Sequence, residues 1–171
     1  MNVMKNIRIE KITLNVGAGK DEEKLKRGVK LLHKISGVEP LKTITSKRIP
    51  TWSLRPGLAI GCKITLRGKK AEELLRRLLA AVNNKLRPTQ FDAHGNFSFG
   101  IHEYVDVPGA EYDPEIKIMG FEVAVTLIRP GYHIKKRRVQ QKKVSLSHQI
   151  KVEEARDFLT QQFGVTYGEA S

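Results

Sequence analysis

Residues Leu58–Arg67 alternate so regularly that they read as one extended strand with two unlike faces. The even positions are Leu58, Ile60, Cys62, Ile64 and Leu66, and the odd ones are Ala59, Gly61, Lys63, Thr65 and Arg67. Successive side chains of a strand point to opposite faces, so one face is apolar and the other offers cations and hydroxyls. The strand lies between Glu39 and Glu72, a stretch with no acidic residue and eight basic ones: Lys42, Lys47, Arg48, Arg55, Lys63, Arg67, Lys69 and Lys70. Such a strand can bury one side and hold a polyanion on the other, which points to nucleic acid.

The charge of the whole chain is distributed the same way. Net charge is +13, and a second acid-free stretch runs from Val123 to Val152. It holds Arg129, Lys135, Lys136, Arg137, Arg138, Lys142, Lys143 and Lys151. The two stretches contain 16 of the 31 basic residues and none of the 18 acidic ones, which leaves the remainder at −3. Localised cation excess is the footprint of a phosphate-backbone partner. A generic basic protein would instead mix its surface charges.

A chain of 171 residues can build one domain with its own core, here residues 1–171. Its single cysteine, Cys62, lies on the apolar side of the strand. It rules out a disulfide within the chain and reads as a core residue, not a catalytic one. No apolar run approaches the ~20 residues that span a bilayer. The N-terminus shows no signal-peptide pattern. The expectation is a cytoplasmic protein with no membrane partner.

Along the chain, residues 11–16 alternate as a strand through Ile12, Leu14 and Val16, while Ile7 and Ile9 fall on the other parity. That flip predicts a bulge near Glu10 and Lys11. Asp21, Glu22 and Glu23 suit the first turn of a helix, Leu25, Val29, Leu32 and Ile35 follow at helical spacing, and Gly37 can stop it. A short strand fits Leu41–Thr45. Trp52–Leu54 and Leu58–Arg67 read as two arms of a hairpin with Arg55, Pro56 and Gly57 at its tip. A second helix fits Ala71–Leu86, ended by Pro88. Two strands follow, around Phe97–Ile101 and Phe121–Leu127. Residues 130–149 are too basic and Gln-rich to pack, and read as an exposed arm or long loop. Glu153–Phe163 forms a last helix closed by Gly164. This order predicts an α+β fold: a mainly antiparallel sheet, helices packed on one face, the other face open for RNA.

The five histidines form no close pair with a cysteine or carboxylate at a ligand spacing, so no metal site is expected. No cofactor is expected either, since Gly17-x-Gly19 lacks the third glycine of a dinucleotide loop. Small α+β enzymes that hydrolyse acyl phosphates use an arginine and an asparagine, and Asn15 and Arg67 leave that alternative open on fold analogy alone. The polar sheet face is the stronger candidate. Lys11, Thr13 and Asn15 on one strand share the pattern of Lys63, Thr65 and Arg67 on another. Trp52 reads either as a core residue or as a platform for a ribose or base. Aromatics make up only 6% of the chain, so folded RNA read by shape and backbone fits better than single strands. Glu103, Asp106, Glu111, Asp113 and Glu115 form an acidic patch, either a solvated loop or a contact for a basic protein.

Three blocks resemble the large-subunit ribosomal protein L-five family, which binds 5S rRNA. They are Ile9-Glu-Lys-Ile-Thr-Leu-Asn-Val-Gly-Ala-Gly19, Arg55-Pro-Gly-Leu-Ala-Ile-Gly-Cys-Lys-Ile-Thr-Leu-Arg-Gly68 and Phe91-Asp-Ala-His-Gly-Asn-Phe-Ser-Phe-Gly-Ile-His-Glu103. Their order and spacing match the family over nearly the whole chain. The resemblance implies a non-enzymatic constituent of the large subunit that helps build the central protuberance and contacts large-subunit rRNA. It places 5S rRNA contacts at Asn15, Thr43, Trp52, Lys63 and Thr65, with phosphate contacts at Lys47 and Arg67. Arg48 lies in the same basic segment. The resemblance brings the tip around Arg55, Pro56 and Gly57 near the P-site tRNA. It sets Asp106, Glu111, Asp113 and Glu115 near a bridge to a basic head protein of the small subunit. The direct start at the first strand and the long Gly131–Gln149 stretch are similar to archaeal and eukaryotic members. Lys135, Lys136, Arg137, Arg138, Lys142 and Lys143 in that stretch are expected to meet rRNA.

Overall fold

The computed structural model describes residues 2–168. Its regular elements are β1 (Arg8–Gly17), α1 (Glu22–Ser36), β2 (Leu41–Ile44), β3 (Ala59–Leu66), α2 (Lys69–Ala81), β4 (Lys85–Leu86), β5 (Phe97–Ile101), β6 (Phe121–Ile128), α3 (Val152–Phe163) and β7 (Thr166–Tyr167). Five strands form one antiparallel sheet in the order β2-β3-β1-β6-β5. The fold is α+β, with the helices on one face of this sheet.

Alternation in the sequence becomes a core because every strand turns the same face to the helices. Ile12, Leu14, Cys62, Ile64, Val123, Val125, Phe97 and Phe99 are buried there beneath Leu31, Leu32, Leu75, Leu78 and Leu79. The parity flip in β1 is absorbed by a register shift between Ile9 and Lys11. That shift lets Ile9 and Ile12 both face the core although they are three residues apart. Helix α1 lies close on the sheet at Gly28. A Cβ there would stand 3.0 Å from Val16 Cγ1 and 3.1 Å from Cys62 Sγ. Asp21 caps this helix by accepting the Lys24 N–H at 3.0 Å, and Gly37 closes it in the left-handed region.

Two boundaries differ from the sequence reading. Helix α2 ends at Ala81, not near Leu86, because Asn83 and Asn84 take left-handed backbone with φ near 55° and 53°. Asparagine tolerates that conformation better than most residues. The freed Lys85 and Leu86 pair in parallel with Thr166 and Tyr167 as β4 and β7. The second change concerns the hairpin. The partner arm of β3 is β2, not Trp52–Leu54. Pro50 lacks an N–H for a ladder and opens a 3-10 turn over Pro50–Trp52, after which Ser53 adopts φ 55°. Residues 45–58 are therefore one long loop, held at its base by Thr45 N–H to Leu58 O and Gly57 N–H to Thr45 O.

Residues 130–149 contain no strand or α-helix, only 3-10 turns at Tyr132–Lys135 and Leu146–His148. The segment is nevertheless tied down at its base. Arg129 is 4% exposed, and its guanidinium donates to the carbonyls of Lys5 (3.0 Å), His148 (3.4 Å) and Gln149 (3.2 Å) and to Glu154 (2.8 Å). The Tyr132 hydroxyl donates to His148 O at 3.3 Å and accepts the Ile150 N–H at 3.0 Å. The Lys151 N–H, opposed by burial and joined by the Arg129 guanidinium, holds the Glu154 carboxyl below its ordinary value. Arg129 is buried while Glu154 is half-exposed, so its removal chiefly leaves three backbone carbonyls without their donor. Arg129→Ala is expected to cost about 1–3 kcal/mol in urea unfolding. It should also speed amide exchange across 131–149 more than in β1.

Candidate RNA-binding face

The sheet face away from the helices collects the polar half of each alternating strand. Register decides which of these residues meet. Thr13 stands opposite Thr65, Asn15 opposite Lys63, and Gly17 opposite Gly61. Thr43 lies beside the same Gly61 from the other side. A Cβ at Gly61 would come within 2.6 Å of Val16 O and 3.1 Å of Thr43 Oγ1, so only glycine keeps this crossing flat. Asn15, Lys63, Thr65 and Arg67 are exposed, and Lys11, Thr13 and Thr43 are half-buried. The three strands β2, β3 and β1 thus offer hydroxyls, an amide and cations over a surface kept low by small residues.

The basic loop continues this surface. Lys47, Arg48, Arg55, Pro56 and Gly57 are all exposed. Trp52 is 67% exposed, so it is not a core tryptophan. Leu41 and Ile44 on the edge strand are also exposed apolar residues, opposite Lys63 and Ala59 respectively. Sequence reasoning names the strand they lie on but not their exposure, because apolar residues at a sheet edge carry no signal that distinguishes core from contact surface.

Strand β6 adds a feature that sequence reasoning misses. Glu122 sits beside Asn15, Ala124 beside Thr13, and Thr126 beside Lys11. The cationic half of the face therefore ends at β1, and a carboxylate marks its border. Pairing between β1 and β6 spans more than a hundred residues, which alternation alone does not reveal.

The sequence marks Glu10 only as the site of the bulge. In the fold its side chain is 8% exposed and receives both Arg67 Nη1, at 3.3 Å, and Lys136 Nζ. It therefore pins the 130–149 segment to the end of the open face. Burial alone would raise the Glu10 carboxyl, but the hydrogen bonds from Lys136 and Arg67 outweigh it and hold the group below its ordinary value. Of the other cations in this segment, Lys135, Arg138, Lys142 and Lys143 are exposed, while Arg137 donates to Gln140 O at 2.8 Å.

The arrangement does not assemble the hydrolase pair. Asn15 faces Lys63, four residues from Arg67, a separation of roughly 13 Å along a strand. Arg67 is engaged by Glu10 instead. Burial pushes the Cys62 thiol up to about 11, which suits a core residue. Among the described residues no group of three or more metal-ligating side chains occurs, and no helix is long and apolar enough to cross a membrane.

The acidic patch folds back on the helices. Lys30 pairs with Glu115, and Lys34 Nζ lies 3.8 Å from Asp113 and donates to Glu111 O at 2.9 Å. The buried Tyr104 hydroxyl accepts the Asp113 N–H at 2.6 Å. Asp113 and Glu115 thus hold their loop in place, and Asp106 and Glu111 stay exposed with carboxylates unpaired among the described residues.

Comparison with known proteins decides between the readings of the chain as a whole. Residues 2–55 match the family described as ribosomal protein L5, and residues 59–165 match the C-terminus of that same ribosomal family. The chain belongs to the ribosomal protein L5 family. It is 46% identical over 167 residues to the large ribosomal subunit protein uL5 of Sulfurisphaera tokodaii, covering 97% of this chain and 94% of that one. It is 44% identical to the uL5 of Methanobrevibacter smithii, over 98% of both chains, and 45% identical to that of Nanoarchaeum equitans, over 95% and 96%.

As an L5-family protein the chain is a structural constituent of the large ribosomal subunit, not an enzyme. The family's role is to bind 5S rRNA in the central protuberance. The two family profiles meet at the tip of the 45–58 loop, yet β2 of the first and β3 of the second are hydrogen-bonded neighbours in one sheet.

The carboxylate clamp gives a direct test. A lowered folded-state pKa means the clamp is intact above the ordinary carboxylate range, roughly pH 4.3. It is lost only as pH falls through the depressed value. Glu10→Gln is expected to speed amide exchange over 132–143 at neutral pH. The change in global stability should stay within about 1 kcal/mol, since both cations are exposed.

Proposed function

We propose that the open face of β2, β3 and β1 grips 5S rRNA, and that the two basic segments supply most of the affinity. The observation that carries this reading is the register, which sets Thr13, Thr65, Asn15, Lys63 and Thr43 on one low, uncovered surface. Hydroxyls and an amide over a flat sheet suit ribose 2′-OH groups, and cations suit phosphates. Lys47, Arg48 and Arg67 serve as phosphate contacts at its border. Exposed Trp52 packs against a ribose or base, and Leu41 and Ile44 extend that apolar contact.

The finer partners are those that the family resemblance implies for these segments. The segment 130–149 forms a basic loop on the single domain 1–171, and its Lys135, Lys136, Arg137, Arg138, Lys142 and Lys143 contact large-subunit rRNA. The exposed tip at Arg55, Pro56 and Gly57 approaches the P-site tRNA. Asp106 and Glu111 meet a basic head protein of the small subunit, while Asp113 and Glu115 position their loop from within. The setting is a cytoplasmic ribosome.

Gel-shift titration against 5S rRNA and an unrelated folded RNA tests the reading. With about six phosphates neutralised, the log–log salt slope should lie near −4 to −5. Thr65→Val and Trp52→Ala should reduce the preference for 5S rRNA. Trp52→Ala should leave the melting temperature unchanged, because the ring is exposed. Lys135→Ala with Lys136→Ala should weaken both RNAs alike and flatten the slope. Equal wild-type affinity for the two RNAs would defeat the claim.

A further inference from the structure

Between the 130–149 segment and the turn at His94 lies a cavity of about 560 Å³, separate from the open sheet face. That size is within the roughly 300–1,000 Å³ of small-ligand sites. Its walls include Tyr132, Val144, Gln141 and Gln149, with Lys135, Lys142 and Lys143. Among the described residues no carboxylate lines it, and none of the three lysines has an ion-pair partner.

The polar groups are already oriented. Gln149 Nε2 donates to Val144 O at 3.1 Å, and Gln141 Nε2 donates to Lys135 O. Each amide spends one N–H on the backbone and keeps its second N–H and its carbonyl oxygen for a ligand. The Tyr132 hydroxyl is committed to His148 and Ile150, so the ring is held rigidly in the wall. An aromatic and an aliphatic surface, two fixed amides and several unpaired cations match an unstacked nucleotide. Its base can be sandwiched and read at its edge, and its phosphate held by lysine.

We propose that this cavity receives one extruded nucleotide of the rRNA bound by the basic segment. The proposal rests on the rRNA-binding reading of that segment, and gives it a receptor where charge alone would give only diffuse attraction. Amide chemistry, not cation number, is then what distinguishes this site from a plain basic patch.

The full chain labelled with ¹⁵N is titrated with adenosine, guanosine, cytidine and uridine monophosphates, and separately with inorganic phosphate. At least one nucleotide should give saturable shifts at the amides of Gln141, Val144 and Gln149 that phosphate does not reproduce. Val144→Trp, which fills the cavity without altering charge, should abolish them. Gln141→Leu, a change at an exposed position, should weaken binding about tenfold, the loss of one base-edge contact. Identical shifts with phosphate, no saturable shifts at millimolar nucleotide, or unchanged binding by both variants would overturn the proposal. A wild-type chain that failed to prefer 5S rRNA would defeat the sheet-face reading while leaving the nucleotide titration to judge the cavity.

Discussion

The antiparallel register of β1 against β3 is the constraint on which the rest of the molecule depends. Strand side chains have a period of two, so a slip of one residue would turn the core set outward and the polar set inward. With Ile12 opposite Leu66 and Leu14 opposite Ile64, both strands bury their apolar sides under the helices. The same pairing necessarily sets Thr13 beside Thr65 and Asn15 beside Lys63 on the uncovered side. Core and uncovered polar face are two consequences of one register, and burial of the first enforces the geometry of the second. The bulge at Glu10 extends this logic, since it restores Ile9 to the core and leaves the carboxylate where Arg67 and Lys136 converge.

Electrostatics then act on a surface already shaped by packing. A segment with this many cations and no acids repels itself and is costly to order. The fold lowers that cost through a few neutralising contacts: Arg129 spread over three carbonyls and Glu154, and Lys136 on Glu10. If the segment binds RNA as proposed, its ordering beforehand reduces the entropy lost on binding. The acidic loop is treated similarly, with Lys30 and Lys34 of α1 holding Glu115 and Asp113. Opposite charges inside the chain fix the shape of each charged loop.

This division also explains why the protein has no need of a catalytic constellation. Asn15 and Arg67, the pair an acyl-phosphate hydrolase would bring together, are separated along the strands, and each has another neighbour. A chain that orients RNA needs breadth and rigidity, which a five-stranded sheet backed by α1 and α2 provides.

The alternation of β1 and β3, the bulge, the termini of α1 and α3 and the separation of charge are all legible in the residues, because each depends on near neighbours in the chain. The three family-like blocks likewise carry the identity of the RNA partner. Helix α2 reads too long in the sequence because Asn83 and Asn84 carry only a weak stop signal, and Pro88 a stronger one further on. Trp52 stays open between core and surface, since one aromatic in a loop has no periodicity to place it. Pairing of β2 with β3, the Glu122 border, the Glu10 clamp and the cavity beside Tyr132 are decided only in three dimensions. Each joins segments separated in sequence, and such contacts are set by how packed elements meet, not by local pattern.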